Sequence, residues 1–162
     1  MGSIDVPPVA AKIGDRVMCG IVGYWDKQGA ESSIVEQMAL RIMHRGPDDS
    51  GIWINKDNTL ALGHRRLSIL DLSEAGHQPM VSPCSRYTLS YNGEIYNHLD
   101  LRRELERAGG HFDWQGHSDT ETLLAALRHW GIEGALQRLS GMFAFALWDS
   151  IEKTITLARD RM

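Results

Sequence analysis

Met18-Cys19-Gly20-Ile21-Val22-Gly23 decides how the rest of this chain is read. A cysteine directly after a methionine opens an apolar run that continues to Trp25, with two glycines inside it, the pattern of a short buried strand. A lone cysteine at such a place is ordinarily a small buried side chain. It is also where a nucleophile stands when its own α-amine is its base, because a free α-amine titrates at about pH 8. Eighteen residues precede Cys19, so as written its nitrogen is an amide without basicity.

Outward from that strand, Asp26-Lys27-Gln28-Gly29 reads as a turn, and Ser32 to Met43 places Ile34, Val35, Met38, Ala39, Ile42 and Met43 on one helical face. His44-Arg45-Gly46-Pro47-Asp48 ends that helix, since the residue before a proline avoids the α region. Gly51 to Ile54 and Leu60 to Arg65 are expected as strands around Asn55-Lys56-Asp57-Asn58. A long loop from Asp71 to Arg86 follows, of a length that is often functional. Tyr87 to Tyr91 is a strand expected to end at the Asn92-Gly93 turn. A helix over about residues 98–108 stops at Gly109-Gly110. Ser118-Asp119-Thr120-Glu121 matches a capping box and opens a helix with Leu123, Leu127 and Trp130 on one face. Met142 to Trp148 and Thr154 to Arg159 form a hairpin about Asp149-Ser150. At least six strands, mostly in hairpins, with three helices predict an α+β fold of antiparallel sheets covered by helices.

Composition bounds the function. The 162 residues are enough for one domain with a sizeable core, and 43% hydrophobic with 23% charged residues is ordinary globular usage. A net charge of -4 argues against nucleic acid, which wants a basic face. No run approaches a membrane span, and residues 1–18 lack the apolar core of a secretory signal. Two cysteines, Cys19 and Cys84, are too few for a disulfide framework, and the seven histidines form no HExxH pattern, so no metal site is expected. A reduced, cytoplasmic compartment is the expectation. Cys84 reads as a loop residue, and Trp53, Trp114, Trp130 and Trp148 as packing.

Six stretches carry a resemblance: Met18–Gly23, His44-Arg45-Gly46-Pro47-Asp48, Gly63-His64-Arg65-Arg66-Leu67-Ser68-Ile69, Tyr91-Asn92-Gly93-Glu94-Ile95-Tyr96-Asn97, Ser118-Asp119-Thr120-Glu121 and Gly141-Met142-Phe143-Ala144-Phe145-Ala146. Together, in this order, they resemble the class II glutamine amidotransferase domain, and specifically that of glutamine-hydrolysing asparagine synthetases. The resemblance implies the N-terminal-nucleophile fold, an αββα sandwich of two antiparallel sheets between helical layers. It divides the chain into residues 1–18, an unstructured leader or mis-assigned start, and 19–162, an amidotransferase domain expected to be incomplete at its C-terminus.

The resemblance also implies roles. Cys19 is the nucleophile. Asn92, by its side-chain amide, and Gly93, by its backbone N–H, form the oxyanion hole; alone, the pair would read as a hairpin turn. Arg66 holds the substrate α-carboxylate, which a guanidinium grips with two parallel bonds. Arg65 beside it reads as a solvated strand end. Glu94 and Asp119 hold the α-ammonium, and Asp119 also suits the first turn of a helix. No role is assigned to every residue of His44–Asp48, though Arg45 or Asp48 is placed as a buttress. No cofactor is expected in this stretch; ATP and Mg²⁺ are implied for a synthetase domain beyond it, which would accept ammonia on activated aspartate. The partners implied are glutamine and that domain, with a homodimer left open, and neither nucleic acid nor membrane. Two alternatives stand beside this reading: a relative amidating another acceptor, and a non-catalytic, capped glutamine-binding domain.

Overall fold

β3 (Leu60–Arg66) shows why the chain stacks in layers. Side chains alternate across a strand, so Ala61, Gly63 and Arg65 face one way and Leu60, Leu62, His64 and Arg66 the other. Ala61 packs with Val35 and Ala30, under helix α1 (Ser32–Arg41), while Leu60 and Leu62 pack with Ala146 and Trp148 from another sheet. Six of the seven β3 residues are buried, as a strand covered on both faces requires.

The computed structural model describes residues 18–67, 76–109 and 111–161. The expected leader therefore lies, for residues 1–17, outside the described residues, as do Gly110 and the first part of the Asp71–Arg86 loop. Among the described residues, β3 is the centre of an antiparallel sheet flanked by β1 (Gly20–Trp25) and β2 (Asp49–Ile54). The second sheet runs β4 (Met80–Val81), β5 (Tyr87–Ile95), β6 (Gly141–Asp149), β7 (Thr154–Arg159), all antiparallel. Its outer face carries Leu89, Tyr91, Phe145 and Leu147 against Leu101 and Leu105 of α2 (His98–Arg107) and Leu123 and Leu127 of α3 (Asp119–Leu136). Each fully buried leucine there contributes roughly 1.5–3 kcal/mol. The order of layers is helix, sheet, sheet, helices: the αββα sandwich the resemblance implied. None of the described helices is long and apolar enough to cross a membrane.

Five local expectations need correction. β5 does not end at Asn92-Gly93; it pairs with β6 without interruption from Tyr87↔Asp149 to Ile95↔Gly141. Nine cross-strand pairs outweigh a two-residue turn preference, and Gly93 keeps its positive φ of 152° inside the strand, where a Cβ would overlap the Met142 carbonyl and Phe143. The long loop contains β4, short enough to escape a periodicity test. The hairpin turn is residues 150–153, because Asp149 still pairs with Thr154 and Tyr87 and its carboxylate is taken by the Ile151 and Glu152 amides and by Arg86 at 2.7 Å. Helix α1 stops at Arg41 and buries only Val35 and Ala39 fully, leaving Ile34 and Met43 exposed. Arg65 is no solvated strand end: it is buried, and its Nε donates to the Gly46 carbonyl at 2.9 Å.

The capping box at Ser118 is half formed. Ser118 accepts from the Glu121 amide, but the Glu121 carboxylate turns to Arg102 and to the Gln115 and Gly116 amides.

Candidate active site

The register of the first sheet sets the starting geometry. Gly20 pairs with Arg65, which places Cys19 across from Arg66, and Arg66 pairs on its other side with Asp49. Cys19 shares the inter-sheet face with Arg66 and His64, since Gly20 faces Ile42 and Arg45 on the α1 side. From the second sheet, Thr88, Ser90, Asn92 and Glu94 face back, because Leu89 and Tyr91 point into the helical layer.

Cys19 is half-buried and anchored on three sides. Its Sγ accepts the Leu67 N–H at 3.3 Å and stands 3.8 Å from the Leu67 carbonyl. Its own carbonyl accepts Arg45 Nε at 3.3 Å. Arg45, from the His44–Asp48 stretch, thus touches Cys19 directly. The rest of that stretch clasps β3: Gly46 carries Arg65, and the Asp48 amide donates to the Arg66 carbonyl at 3.1 Å.

Arg66 is half-buried, and its guanidinium lies on Gly76, where any Cβ would overlap it. Beside it, His77 Nδ1 meets Asp49 Oδ2 at 2.8 Å. Burial pushes the Asp49 carboxyl up, but the His77 and Ser50 hydrogen bonds and the charges of His77 and Arg66 bring it below its ordinary value.

The edge of β5 is the informative part. In an antiparallel ladder, successive residues direct their N–H and C=O to opposite edges. Phe143 gives its N–H to Asp160 Oδ2 and takes the Asp160 amide on its carbonyl, so it faces away from β5. Gly93, paired with Phe143, therefore points its own N–H to the far edge of β5, with Tyr87, Leu89, Tyr91 and Ile95. Four of those five have partners there: Tyr87 bonds Ser82 Oγ at 3.0 Å, Leu89 pairs with β4, Tyr91 bonds Gln78 Oε1 at 2.6 Å and Ile95 bonds Asp119 Oδ2 at 2.9 Å. Among the described residues, the Gly93 N–H has none. Half-buried Asn92 and exposed Glu94 flank it on the inter-sheet face.

Asp119, the first residue of α3, spends Oδ2 on both the Ile95 amide and the Tyr91 hydroxyl, the latter at 2.6 Å. It thereby grips β5 on either side of Asn92-Gly93-Glu94. Burial, then the Asp119 charge and hydrogen bond, with smaller contributions from Glu94 and Cys19, hold the Tyr91 phenol far above its usual value, so it stays a donor.

Three residues that sequence reasoning left without a role converge here. His64 is buried and crosses between the sheets, with Nε2 2.9 Å from the Tyr91 carbonyl. Burial lowers its pKa to about 4, against a partial lift from that hydrogen bond. The ring is neutral near pH 7, and its Nε2–H donates, because a carbonyl only accepts. Gln78 and Tyr91 are the others. His64 and Tyr91 lay inside quoted stretches, whereas a loop glutamine carries no sequence signal.

Cys84 is exposed, with Sγ 3.4 Å from Ser82 Oγ, apart from this cluster. Among the described residues, no group of three His, Cys, Asp or Glu side chains is placed to hold a metal. A cavity of about 610 Å³ lies elsewhere, between β4, residues 111–115 and α3; Met80, Phe112, Trp114 and Leu124 line it, and Cys19, Arg66 and Gly93 do not.

Known proteins resemble this chain over most of its length. Residues 18–162 match the glutamine amidotransferase domain family. The chain is 42% identical over 148 residues to asparagine synthetase [glutamine-hydrolyzing] 1 of Bacillus subtilis, covering 88% of this chain and 22% of that protein. It is 43% identical over 148 residues to asparagine synthetase B [glutamine-hydrolyzing] of Escherichia coli, covering 90% and 26%. It is 35% identical to amidase chry2 of Gibberella zeae, covering 89% and 23%. The chain thus spans about a quarter of the length of these relatives. Among solved structures, glutamine phosphoribosylpyrophosphate amidotransferase from B. subtilis superposes with a TM-score of 0.68 at 22% identity, over 86% of this chain and 37% of that one, which establishes the shared fold.

Proposed function

This chain belongs to the glutamine amidotransferase domain family, and from that premise we propose that it is the glutaminase portion of a glutamine-hydrolysing asparagine synthetase. The observation that carries the reading is the shared inter-sheet face, with Cys19 across from Arg66 on one sheet and Asn92 and Glu94 opposite them on the other.

In this reading the Cys19 thiolate attacks the side-chain amide carbon of free glutamine. The oxygen gains the electron pair and is received by the Gly93 N–H and the Asn92 side-chain amide, donors whose removal typically costs about 10²–10³ in rate. Collapse of the adduct expels ammonia and leaves a γ-glutamyl thioester, which water hydrolyses to glutamate. Arg66 takes the α-carboxylate by a bidentate contact, and Glu94 and the Asp119 carboxylate take the α-ammonium. A substrate lacking either charge would leave one of these groups unpaired. The ammonia would be captured by ATP-activated aspartate in a synthetase portion outside these 162 residues, where ATP and Mg²⁺ would also bind. The amidase chry2 relative motivates a second reading in which another acceptor takes aspartate's place.

The base is the α-amine of Cys19, which requires Cys19 to be the working amino terminus. Either translation begins at Met18 and the methionine is removed, or residues 1–18 are cleaved. The test is glutamate release from two forms of the full-length gene product, one beginning at Cys19 and one retaining residues 1–18. The form beginning at Cys19 is expected to be about 10²–10⁴-fold faster. Equal rates with the leader still present by intact mass would refute the amine as base. No glutamate from either would leave a non-catalytic, capped domain. Which acceptor consumes the ammonia separates the two synthetase readings.

A further inference from the structure

We propose that Gln78 is a positioning residue of the oxyanion site: its buried side chain holds the Tyr91 amide and thereby keeps the Gly93 N–H, two residues on, in place along the free edge of β5. The inference rests on the glutamine-hydrolysis reading above.

β4 covers the edge of β5 only as far as Leu89. Had it continued, Gln78 would lie opposite Tyr91, but its backbone carbonyl lies against Gly51 of β2 instead. The Gln78 side chain takes over the strand's task. Its Oε1 accepts the Tyr91 N–H at 2.6 Å, as a neighbouring backbone carbonyl would. Its Nε2 reaches 3.4 Å to Thr120 Oγ1 in the first turn of α3, and both residues are buried. From the other sheet His64 holds the Tyr91 carbonyl. Both outward groups of Tyr91 are thus fixed by side chains, two residues before Gly93.

That spacing matters because Gly93 is the one member of this edge set without a partner among the described residues. The Gly93 N–H shares its peptide plane with the Asn92 carbonyl, which faces β6, so β6 sets which edge it faces; its position along that edge is held by Tyr91, fixed by Gln78, and by Ile95, fixed by Asp119. Gln78 adds a second constraint by tying Tyr91 to Thr120, the residue after Asp119. The group that would receive the oxyanion and the carboxylate that would receive the ammonium are then carried on one rigid unit. A bound glutamine, gripped at its α-end, meets the oxyanion donor at a fixed distance.

The experiment compares Gln78→Met, which keeps the shape but not the acceptor, and Gln78→Glu, which keeps an acceptor at the same reach, in the full-length protein beginning at Cys19. The readouts are kcat and KM for glutamine, melting temperature, and inhibition by glutamate γ-semialdehyde. The Cys19 sulfur adds to that aldehyde carbon, and the carbonyl electron pair moves to the oxygen at the oxyanion position. In Gln78→Met, kcat is expected to fall about 10–100-fold with KM within about threefold, and aldehyde inhibition to weaken in parallel. Gln78→Glu is expected to recover most of kcat. Unchanged kcat, or loss of kcat with aldehyde inhibition intact, overturns the proposal. So does a loss in both variants that tracks a fallen melting temperature. If the parent protein itself releases no glutamate, the glutaminase reading fails, and amide hydrogen exchange decides the clamp. Faster exchange at both Tyr91 and Ile95 in Gln78→Met, with β6 and β7 unchanged, supports a rigid unit. Faster exchange at Tyr91 alone overturns it.

Discussion

The layer between the two sheets has two ends, both lined on one side by β3. At one end β3 contributes Leu60 and Leu62, and these meet Ala146 and Trp148, with Trp53 and Ile155 closing the cluster and Trp25 standing edge-on to Trp148 at 5.6 Å. At the other end β3 contributes His64 and Arg66, and β5 contributes Asn92 and Glu94. β3 keeps β1 and β2 as its partners from one end to the other. What changes is side-chain chemistry along one continuing alternation. The apolar end holds the sheets together, and the polar end uses the separation so fixed to hold charged and hydrogen-bonding groups around Cys19. Stability and chemistry should therefore be separable by position along a single strand.

The largest effect expected tests the polar end. Cys19→Ala in a form beginning at residue 19 should lower glutamate release by at least about four orders of magnitude, with the melting temperature unmoved. A comparable fall in melting temperature would mean that the polar end is part of the core, and the division would fail.

Leu62→Ala tests the apolar end. Leu62 is 2% exposed, and its truncation should cost about 2–5 kcal/mol of stability in a urea titration. The kcat of the folded fraction should stay within about twofold. A large loss of kcat at full folding would show that the two ends are mechanically coupled.

His64 sits at the junction, and its titration sharpens the comparison. The folded pKa of about 4 lies below the ordinary 6.5, so between these values the unfolded chain binds a proton that folded His64 refuses. Stability is fully present above about pH 6.5, declines as pH falls through this window and has lost this contribution below about 4. The span corresponds to an order of 3 kcal/mol. His64→Gln should flatten the slope of stability against pH in that window. An unchanged slope would assign the acid sensitivity to other groups.

The smallest effect concerns Ser90, one alternation step from Asn92. It is fully buried, opposite Ala146, and its hydroxyl has no hydrogen-bond partner among the described residues. Ser90→Ala should leave the denaturation midpoint unchanged or raise stability by up to about 1 kcal/mol. A destabilisation would reveal an interaction that extends the polar end further along β5.

The layered fold was legible because α2 carries a strong helical period, α3 opens on the Ser118 cap, and two apolar runs flank the short turn between β6 and β7. Less was legible at β3. In a sandwich of four layers the sheets are covered on both faces, so polarity no longer alternates, and nothing local reveals which of Arg65 and Arg66 faces the other sheet. The Asn92-Gly93 pair was misplaced for a related reason. Its conformation answers to β6, some fifty residues away, rather than to its own dipeptide preference. Of the groups around Cys19, those in quoted stretches could be located by resemblance. Gln78 could not, because its contribution exists only where β4 happens to stop.

The hold on Cys19 has a consequence for how its amine would behave once exposed. Among the described residues, what fixes this residue acts through its carbonyl and its sulfur, by way of Arg45 and Leu67. Cutting the bond to Met18 would alter charge without altering place. The nitrogen would turn from amide to amine while the residue kept its carbonyl on Arg45 and its sulfur on Leu67, so maturation would switch on a base beside a thiol already in position.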